Sequence, residues 1–151
     1  MVEDMTLRAA EPSDLPALLR ATRAFYDEDG FTTSDAELRH NLGALLIASD
    51  AHVAVADDRQ HLRGFALTTC RMILESGIVA ELQDLYVAPA HRRRGIAAAL
   101  IGDAEQWART RGATLLEVVV APNGRDVSHL LAYYTARGFR DDGRRLLGRP
   151  L

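Results

Sequence analysis

The chain has 151 residues, 48% of them hydrophobic and 26% charged, with a formal net charge of -3. That length suits one domain with a real core, and the slightly acidic balance argues against a nucleic-acid surface. A single cysteine, Cys70, excludes an internal disulfide and a multi-cysteine zinc site, in keeping with a reducing cytoplasm.

In chain order, Met1-Val2-Glu3-Asp4-Met5 lacks a basic stretch followed by an apolar one, so no signal peptide is expected. No apolar run nears the roughly 18 residues of a membrane span, so no membrane partner is expected either. Residues 5–9 read as a short strand, and Glu11-Pro12-Ser13-Asp14 as a helix start, since Pro is tolerated in a first turn. Leu15, Leu18, Leu19, Thr22 and Phe25 follow at helical spacing until Gly30. Ser34-Asp35-Ala36-Glu37 is a capping box, and Leu38, Leu42, Leu45 and Leu46 form the stripe of a second helix. Strands are predicted over 52–56, 62–74 and 78–87, separated by turns at 57–60 and 75–77. Residues 95–110 are helical, with Ile96, Leu100, Ala104 and Trp107 on one face and Gly112 as the stop. Residues 114–120 form a continuous apolar, β-branched run, the pattern of a buried strand. A last helix over 126–137 closes at Gly138, and a final strand is expected over 144–148. No repeat or linker interrupts the chain, so 1–151 reads as a single domain. The order β-α-α-β-β-β-α-β-α-β predicts an α/β fold, a mixed sheet with helices on both faces.

The clearest chemistry lies where Leu85-Tyr86-Val87-Ala88-Pro89 meets His91-Arg92-Arg93-Arg94-Gly95 and the helix from Ile96. A helix start offers unpaired N–H groups and a partial positive charge, which bind phosphates. Gly95 lets the main chain approach a ligand, Ala97 leaves the first turn uncrowded, and the arginines add charge for a polyanion. The stretch is not a P-loop, because Gly95 is followed by Ile96-Ala97 rather than Lys-Ser/Thr, and one glycine is no dinucleotide fingerprint. Three arginines that merely solvate a helix start remain the alternative, and local physics does not choose.

Arg92-Arg93-Arg94-Gly95-Ile96-Ala97 resembles the Arg/Gln-x-x-Gly-x-Gly/Ala signature of the GCN5-related N-acetyltransferases, the GNAT family. Leu85-Tyr86-Val87-Ala88-Pro89 is similar to that family's fourth strand, Leu62-Arg63-Gly64-Phe65-Ala66 to its third, and Tyr134-Thr135-Ala136-Arg137-Gly138-Phe139 to its late Tyr-x-x-x-Gly-Phe motif. The resemblance implies a central mixed, mostly antiparallel sheet flanked by helices and splayed between the fourth and fifth strands. It implies acetyl-CoA as donor, a primary amine as acceptor and direct attack in a ternary complex. Main-chain groups around Leu85, Tyr86 and Val87 would pair with the pantetheine arm, and N–H groups from Arg93 to Ala97 would cradle the pyrophosphate. Members of the family often form homodimers. Two other readings of the same fold stand beside the enzyme: a non-catalytic acetyl-CoA sensor and an interaction module.

An alkylamine must lose a proton before it attacks, and a carboxylate accepts one. Glu81, six residues before Val87, matches the base of histone-type members; a solvated or ion-paired strand glutamate is the alternative. Asp84 is the next candidate, and strand alternation sends the two to opposite faces. Tyr134 matches the family's general acid, and a phenol near pKa 10 keeps its proton at working pH. The family asparagine would fall at Val127; Asn123, eleven residues before Tyr134, either bonds the pantetheine arm or simply makes a turn. Cys70 reads as a small core residue. His40, His52, His61, His91 and His129 have no metal-ligand spacing, so no metal is expected. Trp107 is a core candidate. Asp27, Glu28 and Asp29, placed in the turn between the first two helices, are either a solvated turn or an acidic rim that favours cationic acceptors.

Overall fold

The computed structural model describes residues 5–151; the segment 1–4, read above as part of a leaderless start, lies outside the described residues. The elements are β1 (Thr6–Ala9), a 3-10 turn (Pro12–Asp14), α1 (Leu15–Asp29), α2 (Asp35–Ile47), β2 (Ala51–Asp57), β3 (Leu62–Ile73) and β4 (Gly77–Val87). A second 3-10 turn (Pro89–His91), α3 (Ile96–Thr110), β5 (Leu115–Val118) and α4 (Ser128–Thr135) complete them. Two compact units emerge, one ending at Val119 and the other spanning Val120–Leu151. Among the described residues no helix is long and apolar enough to cross a membrane.

The first unit holds a five-stranded sheet in the order β1-β2-β3-β4-β5. The pairs from β1 to β4 are antiparallel, and β5 runs parallel to β4. Alternate side chains point to opposite faces. Val53, Val55, Phe65, Leu67 and Tyr86 pack with Leu18 of α1 and Leu42 of α2 in one buried cluster. Phe25 docks α1 there, its ring 5.5 Å from that of Tyr86. On the other face α3 lies over Gly64, and Trp107 stacks on His52 at 5.3 Å. Trp107 is therefore half-buried at the rim of its layer rather than inside the core.

Local chemistry sets the helix ends. The Ser34 hydroxyl accepts from the Glu37 N–H at 3.3 Å, and the Glu37 carboxylate accepts from the Ser34 N–H at 2.9 Å, the reciprocal box that opens α2. The ends of α1 and α4 share one device. Gly30 and Gly138 are left-handed, with φ 78 and 90, which turns the chain back on itself. The N–H of Phe31 then donates to the Tyr26 carbonyl at 2.9 Å, and that of Phe139 to the Tyr134 carbonyl at 3.2 Å. In both cases the phenylalanine ring rests on the tyrosine, at 4.6 and 5.4 Å.

β4 is not a regular strand. Leu67 pairs with Asp84 but Thr68 with Leu82, so Gln83 is an extra residue, a β-bulge. Beyond it the β4–β5 ladder has already ended, at Leu82 and Val118, while β4 runs on to Val87. From the bulge onward β4 continues without a β5 partner.

Three predicted elements need correction. The strand expected over 114–120 is only Leu115–Val118 and is half-buried, with Leu115 and Val119 each 49% exposed. It is the edge of the sheet, and an apolar run cannot by itself separate an edge strand from a central one. The strand expected over 144–148 is absent among the described residues. There the Asp141 and Asp142 carboxylates accept from the N–H groups of Gly143 and Arg144, local turns that compete with extended pairing. The last helix begins at Ser128 rather than 126, because the Asp126 carboxylate takes the Ser128 N–H before the helix starts.

Gly64 sets how closely β3, β4 and α3 approach. A Cβ there would stand 2.8 Å from the Tyr86 carbonyl and 3.4 Å from both Ile96 and Leu100. Gly64→Ala is expected to lower stability by about 1–3 kcal/mol, measured as a shift of the urea midpoint at constant m-value.

Candidate active site

The chain leaves β4, passes the turn at Pro89–His91 and enters α3 through two left-handed residues, Arg93 at φ 61 and Gly95 at φ 83. Gly95 is the N-cap, and no side chain caps the helix. A Cβ built on Gly95 would meet nothing within 4 Å. Ile96 below is buried, so the first turn is anchored from beneath and open above. A helix start built this way fits a diphosphate, through its amides and dipole. All three arginines are exposed. Arg92 is engaged: its Nε donates to the Val87 carbonyl at 2.9 Å, and its two terminal nitrogens donate to the Glu28 carboxylate at 2.7 Å each. Its charge lies 5.9 Å from the centre of the Tyr86 ring.

The bulge overturns the expectation that Glu81 and Asp84 face opposite ways. Glu81 lies opposite Thr69 and Asp84 opposite Leu67, two residues apart on β3 and so on one face. Both carboxylates sit on the α1 side of the sheet. Glu81 accepts from Arg71 at 2.9 Å, and Arg71 also donates to Glu117 of β5, the register partner of Glu81. Asp84 is half-buried and accepts from the Tyr26 hydroxyl at 3.2 Å. Burial raises its carboxyl to about 6; the Tyr26 hydrogen bond works against this, while the charges of Asp29 and Glu81 add to it. The same burial, with Asp84 beside it, pushes the Tyr26 phenol up, so Tyr26 remains a donor. The two carboxylates on this face thus have different environments, one ion-paired with Arg71 and one raised by burial to about 6.

Asp27, Glu28 and Asp29 form the last turn of α1 rather than the turn after it. Asp27 pairs with Arg23 at 2.9 Å and Glu28 with Arg92. Tyr26 escaped the sequence reading although it follows Thr22 by one helical turn, on the side that α1 buries.

In the second unit Tyr134 sits in the last turn of α4, its ring at right angles to Tyr133 and edge-on to Phe139, each at 5.4 Å. Asn123 is left-handed at φ 47 and Gly124 at φ 75, and the Arg125 N–H closes on the Pro122 carbonyl at 2.9 Å. That is a tight turn with both central residues left-handed, a setting Asn and Gly favour. Leu85 is half-buried, whereas Tyr86 and Val87 are buried at the free run of β4. Cys70 is half-buried rather than core, and burial pushes its thiol up, away from the reactive thiolate. Among the described residues no three His, Cys, Asp or Glu side chains gather to hold a metal ion.

The family follows from comparison with known proteins. The profile of the Acetyltransferase (GNAT) family matches residues 15–140. The chain is 40% identical over 88 residues to the aminoglycoside N(6')-acetyltransferase type 1 of Klebsiella aerogenes, a stretch that covers 55% of this chain and 57% of that protein. It is 32% identical over 80 residues to an uncharacterised N-acetyltransferase of Methanocaldococcus jannaschii, covering 52% and 34%. The matches thus span about half of the first relative and a third of the second. The crystal structure of the aminoglycoside N-acetyltransferase AAC(6')-Iy with CoA has the same fold, with a TM-score of 0.83 at 20% identity over 97% of this chain and 94% of that one. With the profile matched along most of its length, the chain belongs to the acetyltransferase (GNAT) family.

Proposed function

We propose that this chain transfers an acetyl group from acetyl-CoA to a primary amine on a small cationic acceptor, by direct attack in a ternary complex. The observation that carries the reading is the bulge at Gln83, which coincides with the end of the β4–β5 ladder and turns Glu81 and Asp84 to one face. The catalytic domain is taken as 1–151, because the family profile crosses the boundary between the two compact units.

Acetyl-CoA, when bound, supplies a thioester carbonyl activated toward amines. The amides from Arg93 to Ala97 would hold its diphosphate, and main-chain groups of Leu85, Tyr86 and Val87 its pantetheine arm. Support for this comes from the uncapped start of α3 and from the end of the β4–β5 ladder at Leu82. Asp84 serves as base, directly or through water. Its carboxyl, near 6, is half-matched to an amine's needs at neutral pH and is ionised there. Glu81 assists by its charge, which raises the proton affinity of Asp84. Tyr134, by its match to the family motif, donates a proton to the departing thiolate. Asn123 keeps a place at the pantetheine arm only through its turn.

The acceptor class follows from charge. Glu81, Asp84, Glu117 and the acidic end of α1 outnumber Arg71, Arg23 and Arg92, the arginines that pair with them. Such a surface attracts cations, and the Klebsiella relative is named for an aminoglycoside. Release of free CoA thiol is therefore expected with aminoglycosides and other polyamines, and weak release with neutral amino-acid amides. A reversed preference would remove the acidic face from acceptor selection.

Turnover should rise with pH through about 6, as Asp84 ionises. In Asp84→Asn that limb disappears and turnover drops by roughly a hundredfold or more. The sign for stability is opposite. The folded carboxyl binds its proton more tightly than the unfolded one at 3.8, so the fold loses stability as pH rises from there through about 6. Above pH 7 Asp84→Asn should melt higher than the wild type, and a lower melting temperature there would contradict the assignment. Tyr134→Phe should lower turnover roughly tenfold to a hundredfold while CoA affinity, read by calorimetry, stays the same. Unchanged turnover would remove Tyr134 from the mechanism.

A further inference from the structure

The signature loop offers three arginines to a diphosphate, but their surroundings differ. The donors of Arg92 are already committed: one nitrogen to the Val87 carbonyl at the end of β4, two to Glu28 on the last turn of α1. A guanidinium matched by a carboxylate in a two-pronged pair has little net charge left for another anion. The hydrogen bond to Glu28, the largest cause, holds the Arg92 proton still more tightly. The pair is not buried, with side-chain exposures of 41% and 36%, so it is not a by-product of desolvation. It also stands where the main chain needs support. Arg93, the next residue, has φ 61, a conformation that costs a non-glycine residue about 1 kcal/mol or more.

We propose that Arg92 is a positioning residue: it clamps the loop ahead of α3 to α1 through Glu28 and to β4 through Val87, and thereby sets the amides from Arg93 to Ala97 for a diphosphate. The inference rests on the reading of that turn as the coenzyme site. It assigns a role to Glu28 as well, because an acid beside a polyanion site then favours the polyanion instead of repelling it.

That inversion of sign gives the test. CoA is titrated into the full-length chain and its variants by calorimetry at one fixed salt concentration. Glu28→Gln should weaken CoA binding about threefold to fivefold, the scale of one half-exposed ion pair. Arg92→Lys should bind as weakly as Arg92→Gln, since lysine keeps the charge but not the fork. Glu28→Gln combined with Arg92→Gln should bind no more weakly than Arg92→Gln alone. If Arg92 were a phosphate ligand, Glu28→Gln would free it and tighten CoA, and Arg92→Lys would keep most of the affinity. Tighter or unchanged binding in Glu28→Gln, or wild-type affinity in Arg92→Lys, overturns the clamp. A wild-type chain that binds no CoA at all overturns the coenzyme reading first, and the clamp with it.

Discussion

One extra residue in β4 governs the geometry of the site. A regular antiparallel ladder repeats every two residues, so positions three apart point to opposite faces. Gln83 breaks that count, and Glu81 and Asp84 both turn toward α1. A bulge also bends its strand and strengthens the local twist. Here the bulge coincides with the last rung of the β4–β5 ladder, so the end of that pairing and a pair of acids on one face fall at the same place. The parallel placement of β5 completes the arrangement, because the crossover through α3 brings a helix start to the end of β4.

Charge is arranged against local preference on one side and with it on the other. Acidic residues suit the start of a helix, yet Asp27, Glu28 and Asp29 crowd the end of α1, where the helix dipole is negative. Arg23 and Arg92 offset part of the cost. Asp84 adds a half-buried carboxyl close to Asp29 and Glu81, a further cost. A fold selected for stability alone would place basic groups here. At α3 the positive pole is left uncapped. The negative pole of one helix and the positive pole of the other are joined by the Arg92–Glu28 pair. The acidic end of α1 and the open start of α3 thus present fields of opposite sign.

Much of this was legible in the residues. The capping box at Ser34, the glycine stops and the alternation of β2 to β4 each have a short-range cause, and the elements formed as read. The signature loop was legible too, since its chemistry is local to 92–97. What escaped depends on pairing between strands. Nothing in Leu82-Gln83-Asp84 itself announces a bulge; it is fixed by the register that β3 and β4 adopt over their whole length. Tyr26 matters only because α1 crosses Asp84, and Arg71 only because β3, β4 and β5 align three side chains. The strand expected over 144–148 failed for the opposite reason, as aspartates at 141 and 142 satisfied nearby amides first.

The cap that ends α1 and α4 separates two tasks. Tyr26-Asp27-Glu28-Asp29-Gly30-Phe31 and Tyr134-Thr135-Ala136-Arg137-Gly138-Phe139 have the same outer residues and different inner ones. A left-handed glycine and a phenylalanine ring, tilted against Tyr26 and edge-on to Tyr134, hold each tyrosine from outside the triplet in between. The triplet thus differs in charge between the two helices while each phenol keeps the same cap. In α1 the triplet carries Glu28, which holds Arg92, and Asp29, whose charge raises the Asp84 carboxyl, so a change of charge there would alter both the loop ahead of α3 and the proton affinity of Asp84 without removing the cap of Tyr26.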